Sequence, residues 1–294
     1  MNRTASESSA TPVHRVGSDV PFLIGLCLLG GFYILLIVAT LVADALFTTP
    51  SDLARALRSP EIRYAARLSL FSSAVTTVLS LWVAVPIGYL LSRFRFPGKA
   101  FVDATLDIPI VLPPLVIGLS LLILFQFPLG GGTTLEGMVG STSEWLVGRR
   151  WAMTYAVPGV ILAQFMVAAA FAVRTLRTAF DEISPRKEQV ALTLGCTRSQ
   201  AFWMVLLPEA RRGVLAAATL TWARSIGEFG PILVFAGATR FKTEVLPTTV
   251  FLELSIGNIE AAVAVSLLMV VMALVVLVVV RALGAGETVG RAVR

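Results

Sequence analysis

Six long apolar runs divide this 294-residue chain, and they leave few folds open to it. The runs lie at about 21–43, 66–91, 106–126, 152–173, 213–236 and 259–281. A helix needs about 20 mainly apolar residues to cross roughly 30 Å of bilayer hydrocarbon, and every run reaches that length. With 56% hydrophobic and 14% charged residues, the chain carries more apolar surface than a soluble core of its size buries. The expected architecture is an all-α polytopic membrane protein with six transmembrane helices.

A net charge of +6 is compatible with nucleic-acid binding, but the positions of the basic residues point elsewhere. With the N-terminus inside, fifteen of the 24 Lys and Arg residues fall on the cytoplasmic side, eight fall outside, and Arg224 lies within a span. The positive-inside rule then makes both termini cytoplasmic, and the environment is a lipid membrane with no nucleic acid. Residues 1–20 are rich in Ser, Thr and Ala and too poor in apolar residues to pack, so they read as a disordered cytoplasmic tail. The run that follows is longer than a signal-peptide core and has no convincing small-residue cleavage site, which predicts a retained anchor. Residues 21–283 read as one transmembrane domain and 284–294 as a cytoplasmic C-terminal tail.

Enzyme chemistry has little to work with. The single histidine, His14, lies in the tail, which excludes a histidine-based metal site or a Ser-His-Asp triad in the folded part. Cys27 falls in the first span and Cys196 in a cytoplasmic loop, so they imply neither a disulfide framework nor a metal site. Gly130 to Gly132 and Gly98-Lys99 do not fit GxxxxGK[ST] and read as turns; the chain has no P-loop of its own. No cofactor or metal is expected on this chain. If ATP powers its work, a separate subunit binds the nucleotide and its Mg.

The segment 174–212 stands out because it is polar-edged and amphipathic between strongly apolar runs. Ser184 followed by Pro185 is a good helix start, with the hydroxyl as cap and proline at the first helical position, and predicts a helix over 185–194. Gly195 suits the left-handed position that ends it. Thr197 and Gln200 fit a capping box for a second short helix, about 198–207, with Pro208 stopping further winding. Two capped helices joined at a glycine predict a rigid elbow.

That elbow resembles the EAA loop of ATP-binding-cassette (ABC) importer permeases, E-A-A-x-x-x-G followed by nine residues and then I-x-L-P. Gln189 stands at the Glu position, Val190 and Ala191 at the two Ala positions, and Gly195 at the Gly position. Val205, Leu207 and Pro208 complete the match. Gln189 and Val190 depart from the pattern, and Glu188 next door is a candidate to supply the missing carboxylate. DIPIVLPPLVIG at 107–118 and ARSIGEFGPILVFAG at 223–237 are similar to the molybdate, tungstate and sulfate branch of these permeases. The likeness covers about residues 60–283.

The resemblance implies a type I importer permease in the inner membrane of a prokaryote. It implies a homodimer around a central path, two cytoplasmic ABC ATPase subunits gripping the elbows, and an extracytoplasmic binding protein that delivers the anion. The function it implies is ATP-driven import of a tetrahedral oxyanion by alternating access, with molybdate or tungstate favoured over sulfate. This chain would then be a transport subunit and not an enzyme. A stand-alone secondary transporter or channel is the alternative, and it leaves the elbow unexplained.

Four residues inside the spans are candidates for the translocation pathway. Pro113 and Pro114, together with Pro109, interrupt the third run, and broken membrane helices are tolerated where protein or a water-filled cavity satisfies the freed carbonyls. Static proline kinks are the other reading. Arg224 lies near mid-bilayer, with Glu228 one turn on. Either the two brace each other as an i,i+4 pair, or Arg224 contributes positive potential to an anion path while Glu228 holds it in place. Gly227 and Gly230 permit close helix approach in both cases. The outer segments 44–65, 127–151 and 237–258 are long enough to receive another protein, or serve as connectors.

Overall fold

Proline and capping residues decide where the helices of this chain begin and break. The computed structural model describes residues 19–128, 133–148 and 150–289, most of them helical. Among these residues there is no strand, only an isolated bridge between Pro128 and Thr134. The expected tail with His14, the turn at Gly130 to Gly132 and residues 290–294 lie outside the described residues.

Helix α1, Val20–Phe47, is a unit by itself. It is apolar over its length, with hydropathy high enough for a membrane span. The second unit begins at Thr48. Helix α2, Pro50–Arg58, starts with a capping box in which the Thr49 hydroxyl accepts from the Asp52 amide while Asp52 accepts from the Thr49 amide. The Thr49 hydroxyl beside it holds the Asp52 carboxyl below its ordinary range. Ser59 ends α2 and caps α3, Pro60–Arg93, so that span starts six residues earlier than the apolar run.

Helix α3 presents Ser69, Ser72, Ser73, Thr76, Thr77 and Ser80 to the interior at three- and four-residue spacing. Small side chains let a neighbouring helix approach closely, and half of these hydroxyls are satisfied within their own helix. Ser72, Ser73 and Thr77 donate to carbonyls of their own helix. The neighbour is α7, Val157–Asp181, which buries Ala163, Val167, Leu176 and Phe180.

The third apolar run is not a single helix from 106 to 126. It forms α4, Lys99–Val111, and α5, Pro114–Gln126, bent by 111°. A residue before proline is pushed out of the helical region, and both Leu112 and Pro113 are extended, with ψ of 141° and 131°. Pro114 then occupies the start of α5 at no cost in hydrogen bonding. Pro109 interrupts nothing; it is carried inside α4. The outer segment 127–151 contains α6, Leu135–Val147, whose first turn is capped by Thr134.

After α7 come the elbow helices α8, Arg186–Thr193, and α9, Arg198–Ala201, then a π-helical turn over Phe202–Leu206 and α10, Leu207–Glu209. The fifth run is also broken. It forms α11, Arg211–Ile226, and α12, Gly230–Phe235, with Gly227 to Phe229 outside both. Helix α13, Leu246–Ser255, occupies the connector, and α14, Ile259–Val289, runs past the expected span and into the expected tail.

Among the described residues, four helices are long and apolar enough to cross a membrane by themselves, and five spans result if α4 and α5 count as one. A sixth would have to be built from α11 and α12 together. Three clusters hold the second unit. Ile117, Leu121 and Phe125 of α5 pack with Val160 and Val167 of α7 and with Ile232 and Phe235 of α12. Leu91, Leu176 and Phe180 meet Leu206 and Ala217 in a second. Ala56, Ile62 and Ala65 meet Leu246, Ala264 and Val265 in the third.

Candidate functional site

The elbow is built largely by local chemistry. Helix α8 ends in a Schellman motif, with the Gly195 amide donating to the Leu192 carbonyl at 3.0 Å and the Cys196 amide to the Ala191 carbonyl at 3.1 Å. Gly195 has φ +90°, the left-handed position expected of it, and an added Cβ would meet nothing within 4 Å. Thr197 and Gln200 form the expected capping box, the Thr197 amide donating to Gln200 Oε1 at 2.8 Å and the Gln200 amide to Thr197 Oγ1 at 3.3 Å.

Two details differ from expectation. The Ser184 hydroxyl does not cap α8; the Ser184 carbonyl accepts from the Lys187 amide instead, and Pro185 precedes the first helical residue. Pro208 does not stop the second helix either. In a regular helix its ring would strike the carbonyl four residues back. The π turn relieves this, because the Leu207 amide reaches back five residues to the Phe202 carbonyl, and winding continues through Glu209 to a break at Ala210.

Glu188 lies in the first turn of α8. It is buried, paired with Arg93 Nε at 2.6 Å, and accepts a hydrogen bond from the Tyr89 hydroxyl at 3.2 Å. The Tyr89 ring lies 4.9 Å from that of Phe202, and Arg198 lies over Phe94, so polar and aromatic contacts clamp the elbow to the end of α3. Ala191 is buried, while Gln189, Val190 and Pro208 are exposed and Val205 and Leu207 are half-buried. The outer surface is strongly apolar, with Leu194 79% and Met204 70% exposed beside Val190 and Trp203. A groove of about 490 Å³ lined by Met204, Val205, Pro208, Glu209, Arg211 and Arg212 continues that surface.

Gly195→Val is expected to weaken capture of a partner by this face about tenfold. The left-handed conformation costs an L-residue about 1–2 kcal/mol, and β-branching adds to it. Gly195→Asn should lose much less, since Asn tolerates that region. Pull-down of a partner ATPase at wild-type level by the Val variant would refute this.

The second region is where the two helix breaks meet. A Cβ on Gly230 would lie 3.0 Å from the Leu115 nitrogen, and one on Gly118 would lie 2.7 Å from Pro231 Cα. The start of α5, at Pro113-Pro114, therefore abuts the start of α12, at the last glycine of Gly-Glu-Phe-Gly. Gly230 provides the expected close approach and Gly227 does not, its nearest neighbour being 3.7 Å away. Arg224 Nη1 and Glu228 Oε2 pair at 2.8 Å, but Glu228 lies beyond the end of α11, so the pair bridges a break instead of bracing a continuous helix. Glu228 is buried, and the half-buried Arg224 guanidinium sits over the Phe171 ring at 5.8 Å.

Sequence reasoning missed Gln164, buried beneath this region. Its Nε2 donates to the Ser225 carbonyl at 3.0 Å, and Thr76 donates to its Oε1 at 3.1 Å, which ties α3, α7 and α11 together. A lone amide inside an apolar run was the available signal. Also missed was Glu244, fully buried between α12 and α13, where burial raises its carboxyl above the ordinary carboxylate range. Among the described residues, no three His, Cys, Asp or Glu side chains are grouped to hold a metal ion.

Comparison with known proteins decides the family. Residues 84–286 match the family of the binding-protein-dependent transport system inner membrane component. The chain belongs to this family. The permease is 33% identical over 210 residues to the sulfate transport system permease protein CysT of Escherichia coli, covering 71% of this chain and 72% of that one. It is 34% identical over 232 residues to the molybdenum transport system permease protein ModB of Mycobacterium tuberculosis, covering 79% and 80%. A probable molybdenum ABC transporter permease protein of Haloferax volcanii is 33% identical over 257 residues, covering 87% and 88%.

Solved structures share the permease's fold at low identity. A chain of a bacterial alginate ABC transporter superposes with TM-score 0.69 at 17% identity, over 89% of this chain and 93% of that one. A chain of the inward-facing MetNI methionine ABC transporter gives TM-score 0.54 at 22% identity, over 80% and 99%. The architecture is therefore that of a type I ABC importer permease, a multi-pass membrane subunit of a transport system.

Proposed function

We propose that this permease is the membrane-spanning subunit of an ATP-driven importer of a tetrahedral oxyanion, with molybdate or tungstate preferred and sulfate next. The observation that carries the reading is the elbow. A capped, glycine-hinged, apolar-faced element is clamped to α3 and α7, and it has no role in a protein that works alone. Relatives named as sulfate and molybdenum permeases supply the substrate class.

In this mechanism two permease copies surround the path and two ABC ATPases hold the elbows on the cytoplasmic side, where both termini also lie. ATP and Mg are bound by the ATPases. A binding protein presents the anion at the outer face. Closure of the ATPases displaces the elbows and tilts the spans. The Pro113-Pro114 break and the Arg224-Glu228 break lie together as discontinuous helices that line the path. Arg224 offers its positive charge to the anion, and buried Glu228 holds it in place.

The test is ATP hydrolysis by the reconstituted permease, ATPase and binding protein, screened over molybdate, tungstate, sulfate, thiosulfate and phosphate. Stimulation at the lowest concentration is expected from molybdate or tungstate. Hydrolysis indifferent to every anion would defeat the proposal, and anion flux by the permease alone would favour the channel reading.

A further inference from the structure

Helix α4 is the first limb of the bent span, yet it contributes no fully buried side chain to any core. Apart from the partly buried Leu106, which packs against the cluster of Val173, Leu176 and Phe180, what fastens it to α7 is charge. Arg174 makes a forked pair with Asp107 through Nε and Nη2, and Arg177 Nη1 contacts Asp103. Arg177 also faces Asp181 one turn on, with Nε to Oδ2 at 3.8 Å.

These pairs do not end at α7. Asp181 Oδ1 accepts from the Ser92 hydroxyl at 2.5 Å, and that oxygen accepts in turn from Arg93 Nη1 at 3.0 Å. Arg93 uses its remaining donors on the elbow, Nε to Glu188 at 2.6 Å and Nη2 to the Ile183 carbonyl at 2.9 Å. A line of polar contacts, hydrogen-bonded throughout except for the 3.8 Å ion pair between Arg177 and Asp181, therefore runs from α8 through the ends of α3 and α7 to α4. Its elbow end is the buried one, with the Arg93 and Glu188 side chains each 10% exposed. A buried, multiply bonded guanidinium cannot let go of one partner cheaply, so the elbow, α3 and the end of α7 shift together. Helix α4, with little packing of its own, follows its arginines.

Resting on the importer reading above, we infer that the line Glu188, Arg93, Ser92, Asp181, Arg177 and Asp103 carries displacement of the elbow to the bent span. Asp103, Asp107, Arg174 and Arg177 are then positioning residues for transport, although they touch neither the ATPase nor the anion. Static braces of the same fold would affect stability alone. A mechanical link affects the number of anions moved per ATP.

The experiment uses the reconstituted full complex and reads ATPase pull-down, basal hydrolysis and anion imported per ATP consumed. Asp103→Asn combined with Asp107→Asn should leave pull-down and basal hydrolysis at wild-type level while transport per ATP falls about tenfold, within the usual range of coupling energies. Adding Ser92→Ala, which removes a link and strands no buried charge, should cause no further fall, because the line is already cut, although residues 92 and 103 do not touch. Unchanged transport per ATP in the double variant would overturn the inference, as would losses that multiply in the triple. If the asparagine variants do not fold, Arg174→Lys with Arg177→Lys keeps the charges and removes the forks. A similar fall there supports the link, and wild-type transport per ATP overturns it. A wild-type complex with no anion-stimulated hydrolysis would overturn the importer reading and this inference together.

Discussion

Gly118→Ala is expected to destabilise the permease by about 1–3 kcal/mol, and Gly118→Val by more. The new Cβ would sit 2.7 Å from Pro231 Cα and 2.9 Å from the Pro231 carbonyl oxygen, with Val234 Cβ at 3.1 Å. Two of the three obstacles are backbone atoms of α12, so no rotamer change relieves the clash. The α5 and α12 starts must separate, and Ile117, Leu121, Ile232 and Phe235 lose part of their shared core. Gly230→Ala, with its nearest contact at 3.0 Å, should be milder. Gly137→Ala, whose nearest neighbour is the Thr134 hydroxyl oxygen at 3.5 Å, should be neutral or slightly stabilising. Thermal unfolding in detergent, with size-exclusion profiles as a check on folding, ranks the three. A Gly118→Ala protein as stable as wild type would show that the two broken helices are not in close contact.

Part of the site was legible because its causes are local. The Schellman turn at Gly195 and the Thr197-Gln200 capping box each need only a few consecutive residues. Four of the six apolar runs contain long helices able to span, α1, α3, α7 and α14, as composition suggested, and the proline pair marked the break at 112–113 in a fifth. What the sequence did not reveal depends on partners far along the chain. Nothing local to Glu188 announces its burial, because its partner Arg93 lies 95 residues earlier. Gly-Glu-Phe-Gly passes for a continuation of its apolar run, yet α11 stops short of it and Gly230 lies close against Pro114 and Leu115, contacts made with residues more than a hundred positions earlier. Helix α6 was hidden in a stretch whose glycines dominate the reading, although Thr134 caps it much as Thr49 caps α2. Pro208 shows the opposite error, a sound local rule overridden by a π turn.

The pair at the second break offers the sharper functional test. Arg224→Met removes the cation paired with buried Glu228, and a stranded carboxylate there should cost about 3–5 kcal/mol. Glu228→Gln should cost less. The remaining guanidinium is half-buried, keeps the Phe171 ring beneath it, and can orient toward water. Replacing both, Arg224→Met with Glu228→Met, removes the stranded charge and should restore much of the stability. If the pair only bridges the break between α11 and α12, transport returns with it. The asymmetry of burial points to the other result, because Glu228 is enclosed while Arg224 keeps an open face. We expect the double variant to fold and capture the ATPase yet import anion about tenfold more slowly per folded complex, having lost a charge worth that much at a desolvated site. Arg224→Lys should fall between, keeping the charge but not the fork that holds carboxylate and oxyanion at once. Near wild-type uptake in the double variant would leave Arg224 and Glu228 as structural residues and move the search for the anion's path to other parts of the broken helices.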